Sequence, residues 1–214
     1  MDGVLADVSR SYRQAIVETA RHFGCDATAE DIERIKQEGN ANNDWVVTQT
    51  LLSRGGIQVD LAEITEVFNA LYNGSDDTPG LCVTESLLGS VAQLRELGAR
   101  FRLGIVTGRP RREAEAFLQR FGLSEIFDAV VTMEDAPAKP SPEPVAAALA
   151  MLHVDRAWML GDTPDDMVAA KAAGALPVGV CAPGSDLRET TPVLIQAGAA
   201  RALSCWTEIL EVLP

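Results

Sequence analysis

Across residues 9–23 the apolar or small positions Tyr12, Ala15, Ile16, Thr19, Ala20 and Phe23 recur at helical spacing, which predicts an amphipathic helix. Gly24 stops it. Thr28 followed by Asp31 has the spacing of a capping box and predicts a second helix to about Glu38. Residues 39–43 form a polar turn, and residues 44–54, carrying Trp45, predict a third helix. Gly55-Gly56 breaks the chain, and Asp60 with Glu63 caps a fourth helix through Tyr72. Residues 73–80, NGSDDTPG, read as a loop. After that loop the pattern changes to strands alternating with helices. Helices are predicted at 84–97, 112–120, 144–152 and 206–213, and strands at 102–106, 129–131, 157–160, 176–180 and 199–203. An alanine-rich helix follows the 157–160 strand and ends at Gly174. Residues 1–7 read as neither helix nor strand, with a tight turn at Gly3.

Alternating strands and helices imply a parallel sheet with right-handed crossovers. The fold expected is α/β: a Rossmann-like parallel sheet core, residues 1–8 and 79–214, with residues 9–78 inserted near the N-terminus as a separate helical domain.

Composition narrows the partners. The chain has 214 residues, 47% of them hydrophobic, enough for one good-sized domain or a domain with an insertion. Its 31 acidic against 18 basic residues give a net charge of −13, a field that opposes nucleic acid and anionic membranes. Cys25, Cys82, Cys181 and Cys205 are scattered, which reads as four buried thiols in a reducing compartment. No apolar run approaches the roughly 18 residues of a membrane span. Residues 1–10 carry Asp2 and Asp7 and no apolar signal core, so a cytoplasmic location is expected.

The candidate chemistry gathers in four segments that end strands or open loops on one expected sheet edge: Met1 to Leu5 (MDGVL), Val106-Thr107-Gly108, Lys139 to Glu143 (KPSPE), and Gly161 through Asp166 (GDTPDD). Asp162, Asp165 and Asp166 put three carboxylates within five residues. Like charges so close repel, and a divalent cation offsets the repulsion; oxygen ligands of this kind suit Mg²⁺. In open α/β sheets ligands sit outside the carboxyl ends of strands. Each segment has a plain structural alternative, but together they supply a hydroxyl, a cation and acids in an order that makes a phosphate site.

In the order DGVL, IVTG, KPSPE, GDTPDD the chain resembles the haloacid dehalogenase-like superfamily, and within it the capped phosphatases related to phosphoglycolate phosphatases. That resemblance implies a helical cap at 9–78 and a Mg²⁺-dependent phosphatase acting on a small phosphorylated metabolite. It implies that Asp2 is the general acid and base, with its carbonyl helping to hold Mg²⁺. Thr107 and the Gly108 amide would bind the phosphoryl group, and Lys139 would neutralise its oxygens. Asp162 would bind the metal and Asp166 would support it, leaving Asp165 as a solvated helix-start residue. Asn42 and Asn43, in the cap segment 40–45 (NANNDW), are candidates for substrate contact, with Lys36 and Arg109 as further anion contacts.

The resemblance also implies a nucleophilic Asp two residues before Asp2, on an apolar central strand, and that position falls immediately before Met1. The expectation is that Met1 is not the natural first residue and that the first core strand is missing here. The alternatives are a non-catalytic protein that binds phosphate and Mg²⁺, and a phosphomutase on the same core. A dehalogenase is disfavoured because it would need neither Asp2 nor a metal. His22 and His153 read as packing or surface residues, Trp158 as sheet core, and Trp206 as packing the closing helix.

Overall fold

The computed structural model describes residues 1–39 and 42–212 of the chain. It divides into two compact units, Met1–Ala6 with Leu87–Pro214, and Asp7–Ser86.

The second unit is helical. Helix α1 (Tyr12–His22), α2 (Ala29–Glu38), α3 (Asp44–Arg54) and α4 (Leu61–Asn73) bury the stripes that their periodicity marks. Ala20, Leu52 and Ile64 form one centre, with Trp45, Ile57 and Val59 against it. Tyr12, Tyr72 and Phe68 form an aromatic group, Tyr12 lying 4.3 Å from Tyr72 and 5.9 Å from Phe68 between ring centres. The unit extends past residue 78 because the segment 81–85 is tied into it. Glu85 is buried and accepts hydrogen bonds from Ser11 Oγ and Tyr72 OH, both at 2.9 Å. Thr84 Oγ1 donates to the Arg10 carbonyl at 2.7 Å.

The capping box at Thr28 and Asp31 is formed in both directions. Hydrogen bonds from the Thr28 hydroxyl and N–H hold the Asp31 carboxyl below its ordinary value. Thr28→Ala is expected to cost about 1 kcal/mol, seen as lower hydrogen-exchange protection of the α2 amides. The Asp31 share of that cap is present above its unfolded pKa of about 3.9 and is lost as pH falls through the lower folded value. The box expected at Asp60 is not made: Asp60 is the N-cap by position, without a side-chain hydrogen bond.

The other unit is α/β. At the boundary of the two units a short strand β1 (Ala6–Asp7) pairs with β2 (Ser86–Leu87), each with one residue in either unit, so the stretch read as structureless contains a strand. The helix predicted at 84–97 is in fact a 3-10 turn (Leu81–Thr84), β2 and then α5 (Val91–Gly98). Gly89 has φ +76° and lies against Trp206, and Ser90 caps α5 by accepting from the Gln93 N–H, so the helix starts only there. Next come β3 (Gly104–Val106), α6 (Arg111–Arg120), β4 (Ala129–Val131), α7 (Glu143–Leu152), β5 (Trp158–Gly161), α8 (Pro164–Ala172), β6 (Leu176–Val180), α9 (Leu187–Ala197) and β7 (Arg201–Leu203). A 3-10 turn (Trp206–Glu208) and α10 (Ile209–Val212) close the described chain. Helix α9 has no counterpart in the pattern reading.

All pairing among these core strands is parallel, in two pieces: β3 with β4, and β5 with β6 and β7. Val145, Ala169, Ala170 and Ala175 form a core between them, with Val106 and Met159 against it. Residues of β3 and β5 line one apolar cleft of about 200 Å³, together with Met1, Val4, Leu5 and Trp206. Trp158 is 41% exposed, not core; its ring meets Phe101 edge-on at 5.8 Å. The thiols also differ from expectation: only Cys181 is buried, Cys25 and Cys82 are partly so, and Cys205 is exposed.

Candidate active site

The site is built on loops that leave the carboxyl ends of β3 and β5. After β5 the chain turns at Gly161, where a Cβ would collide with the Asp166 side chain, so only glycine lets the turn close on that carboxylate. Thr163 then caps α8. Its hydroxyl accepts from the Asp166 N–H, and Asp166 Oδ2 accepts from the Asp162 N–H (3.1 Å), the Thr163 N–H (3.0 Å) and the Thr163 hydroxyl (2.8 Å). The capping spacing Thr163 to Asp166 was the signal in the sequence for this role of Thr163.

Asp166 Oδ1 accepts from Lys139 Nζ at 2.5 Å, and both side chains are buried, at 4% and 8% exposure. Burial alone would lower the Lys139 ammonium. The charge and hydrogen bond of Asp166, with the charges of Asp162 and Asp2, outweigh it and hold Lys139 above its ordinary value. Burial pushes Asp166 upward, but Lys139, the Met1 amine and Thr163 outweigh that and keep its carboxyl below the usual range. The Met1 amino group is enclosed among the same charges. Burial and Lys139 depress it, against the opposing pull of Asp2, Asp166 and Asp162. Lys139, Asp2, Asp162 and Asp166 are therefore one electrostatic group.

Gly3 completes the close approach: at φ +67°, a Cβ there would collide with the Asp162 carboxylate. Asp165 is buried at 5% exposure rather than solvated, because α8 is enclosed by β5, β6, α7 and α9. As a residue of the first helical turn it sits in the favourable field of the helix N-terminus.

Thr107 and Gly108 leave β3. The Thr107 N–H donates to the Val131 carbonyl at 2.9 Å, and its hydroxyl accepts from the Arg109 N–H at 3.2 Å. The turn after β4 braces this loop. Thr132 N–H and hydroxyl donate to Asp135 Oδ2, Met133 N–H donates to the Arg109 carbonyl, and Arg111 N–H donates to Glu134. Arg109 follows Gly108 in this loop. It is buried, with Nε and Nη2 donating to Asp2 Oδ1 at 2.7 and 2.6 Å. Its place directly after Thr107-Gly108 was the available signal.

The remaining candidates lie in the helical unit. Asn43 Oδ1 accepts from the Trp45 and Val46 N–H groups and caps α3. Lys36 Nζ pairs with Asp44 Oδ1 at 3.0 Å. Asn42 is partly buried, and residues 40 and 41 of the same segment lie outside the described residues. His22 meets Phe23 edge-on at 4.9 Å, and His153 ends α7 in a left-handed conformation.

Residues 1–180 match the model of the haloacid dehalogenase-like hydrolases. The chain belongs to that family. Over its whole length it is 45% identical to a Phytophthora nicotianae protein named imidazoleglycerol-phosphate dehydratase, of which it covers 51%. Over 45% of its length it is 44% identical to a phosphoglycolate phosphatase of Rhodospirillum rubrum, covering 41% of that protein. The chain thus spans about half the length of these relatives. Among solved structures, a haloacid dehalogenase-like hydrolase from Streptococcus pneumoniae shares the fold at TM-score 0.76, with 18% identity over 99% of this chain and 94% of that one. Phosphatase Tt82 from Thermococcus thioreducens does so at 0.64, with 24% identity over 86% and 90%.

Among the described residues no helix is long and apolar enough to cross a membrane, and no three or more His, Cys, Asp or Glu side chains are grouped to hold a metal. Mg²⁺ asks less of the protein: one or two carboxylates, with waters and phosphate oxygens completing the shell. Asp162 and the Asp2 carbonyl offer hard oxygen of that kind. Both Asp166 oxygens are engaged with Lys139 and the turn, so Asp166 fits the supporting place rather than a direct ligand.

Proposed function

We propose that this protein is a Mg²⁺-dependent phosphatase of a small phosphorylated metabolite. The observation that carries the reading is the buried Lys139–Asp166 pair within the field of Asp162 and Asp2, with Asp2 bonded to Arg109 of the loop that carries Thr107. Membership of the hydrolase family and likeness to phosphoglycolate phosphatases support it. Phosphoryl transfer needs positioning and charge neutralisation more than covalent chemistry from the protein.

In this reading Lys139, fixed by Asp166, draws in the phosphoryl oxygens, and the Thr107 hydroxyl with the Gly108 amide orients them. Asp162 and the Asp2 carbonyl would hold Mg²⁺, which supplies further neutralisation of phosphoryl charge. The Asp2 carboxyl gives a proton to the leaving oxygen and later takes one from water. The nucleophile would be an aspartate at the end of a strand seated in the cleft between β3 and β5, forming an aspartyl-phosphate. The helical unit would act as a cap that closes over the substrate and excludes water.

A panel of phosphate esters, assayed with and without Mg²⁺, tests the reading. Phosphoglycolate belongs in it, as does a phosphorylated imidazole compound, given the name of the Phytophthora relative. Metal-independent hydrolysis would count against the Mg²⁺ role. Asp162→Asn is expected to weaken Mg²⁺ binding by about tenfold or more, roughly 1.4 kcal/mol, with the fold retained. The amide attracts a hard cation less, and crowding among the acids is relieved. Calorimetric titration with Mg²⁺ decides it; undiminished affinity would place the metal elsewhere.

A further inference from the structure

Arg109 is 2% exposed and stands among the largest fully buried side chains of the protein. A guanidinium keeps its proton, so a full charge is held out of water, and such a charge persists only beside a counter-charge. Asp2 supplies it: Nε and Nη2 both donate to the single oxygen Oδ1, at 2.7 and 2.6 Å. The centre of the Phe117 ring lies 5.3 Å from the guanidinium carbon, a cation–π contact. The main chain of the same residue holds the Thr107 hydroxyl through its N–H and takes the Met133 N–H on its carbonyl. One buried residue thus ties the Asp2 carboxylate to the loop carrying Thr107.

The charges around the site explain why such a tie is needed. Asp2, Asp162 and Asp166 all act on Lys139, and Lys139 itself is committed to Asp166. A phosphate arriving beside an uncompensated Asp2 would meet like charge in a site partly closed to solvent, where repulsion is strong. Resting on the phosphatase reading above, we propose that Arg109 is a positioning residue that acts through Asp2. It fixes the carboxylate by one oxygen and cancels its charge, so that an anionic phosphoryl group can bind next to it. Arg109 itself does not reach the ligand.

Calorimetric titration with inorganic phosphate in the presence of Mg²⁺ tests this on the parent chain, Arg109→Gln, Asp2→Asn and the double variant. Arg109→Gln is expected to weaken phosphate by about tenfold or more, and Asp2→Asn to bind at least as tightly as the parent. The double variant is expected within about threefold of Asp2→Asn, because a neutral Asn leaves Arg109 nothing to cancel. A double variant as weak as Arg109→Gln overturns the proposal, since a role in folding alone would persist without the Asp2 charge. Undiminished phosphate binding by Arg109→Gln overturns it as well. A parent chain that binds no phosphate sinks the phosphatase reading, and this inference with it. Should Arg109→Gln not fold alone, Arg109→Lys takes its place and is expected within about threefold of the parent. The comparison of the double variant with Asp2→Asn then still decides.

Discussion

Lys139→Met is expected to destabilise the α/β unit by about 3–5 kcal/mol and to abolish phosphate binding. The large figure follows from what is left behind. Asp166 is 4% exposed as a side chain, and its Oδ1 faces Lys139 at 2.5 Å. Removing one partner of a buried pair strands an uncompensated charge, which costs far more than the net worth of the pair. Asp166 cannot turn away to water, because its Oδ2 is held by the N–H groups of Asp162 and Thr163 and by the Thr163 hydroxyl. Lys139→Met with Asp166→Asn should recover most of the stability, since Asn keeps an oxygen for the turn and no charge is stranded. It should not recover phosphate binding, which needs the cation. Urea dependence of hydrogen exchange at the β5 and β6 amides isolates this unit from the helical one. If the single and double variants are equally unstable, the ion pair is not what holds the loop. If Lys139→Met binds phosphate as the parent does, the site lies elsewhere.

The parts of this protein that were legible in the sequence are those set by local rules. The stripe through Tyr12, Ile16 and Ala20, the cap at Thr28 and Asp31, and the turn from Gly161 into α8 each depend on neighbours a few residues away. Where distant parts decide, the pattern misleads. Residues 84–97 have helical composition throughout, but Gly89 must lie against Trp206, 117 positions on, and the helix waits until Ser90. Helix α9 runs unbroken through Pro192, a residue that argues locally against a helix interior. Asp165 reads as solvated in any local view and is buried only because four elements enclose α8. Arg109 is the clearest case. An arginine in a turn is ordinarily exposed, and this one is enclosed because its counter-ion lies 107 residues away. The motifs singled out Asp2, Lys139, Asp162 and Asp166, which lie within one another's field; which oxygen of Asp166 or Asp2 each cation takes is a property of the folded chain alone.

The second large effect concerns the cleft between β3 and β5. Joining an extended apolar strand that ends in Asp to Met1 is expected to stabilise the α/β unit by a few kcal/mol and to produce phosphatase turnover. The cleft, rather than the first residue of the sequence, carries this expectation. Among the described residues β3 pairs with β4 and β5 with β6, the two strands are not paired with each other, and residues of both line the cleft. The lining is that of a sheet interior: Ile105, Val106, Met159, Leu160, Val145 and Leu149. A strand seated there would gain hydrogen bonds on both sides, each worth about 0.5–1.5 kcal/mol net. Each apolar side chain it buries would add about 1.5–3 kcal/mol. Ordering its backbone costs about 1–2 kcal/mol per residue, which leaves the few kcal/mol expected. At its end the strand would bring a carboxylate toward Lys139 and Asp162, which already act on each other. The same strand ending in Asn should confer the stability without the turnover, which separates filling the sheet from supplying the nucleophile. If the Asp-ended strand changes neither the urea midpoint nor the hydrolysis of any ester in the panel, the cleft is not a strand site and the nucleophile must be sought elsewhere.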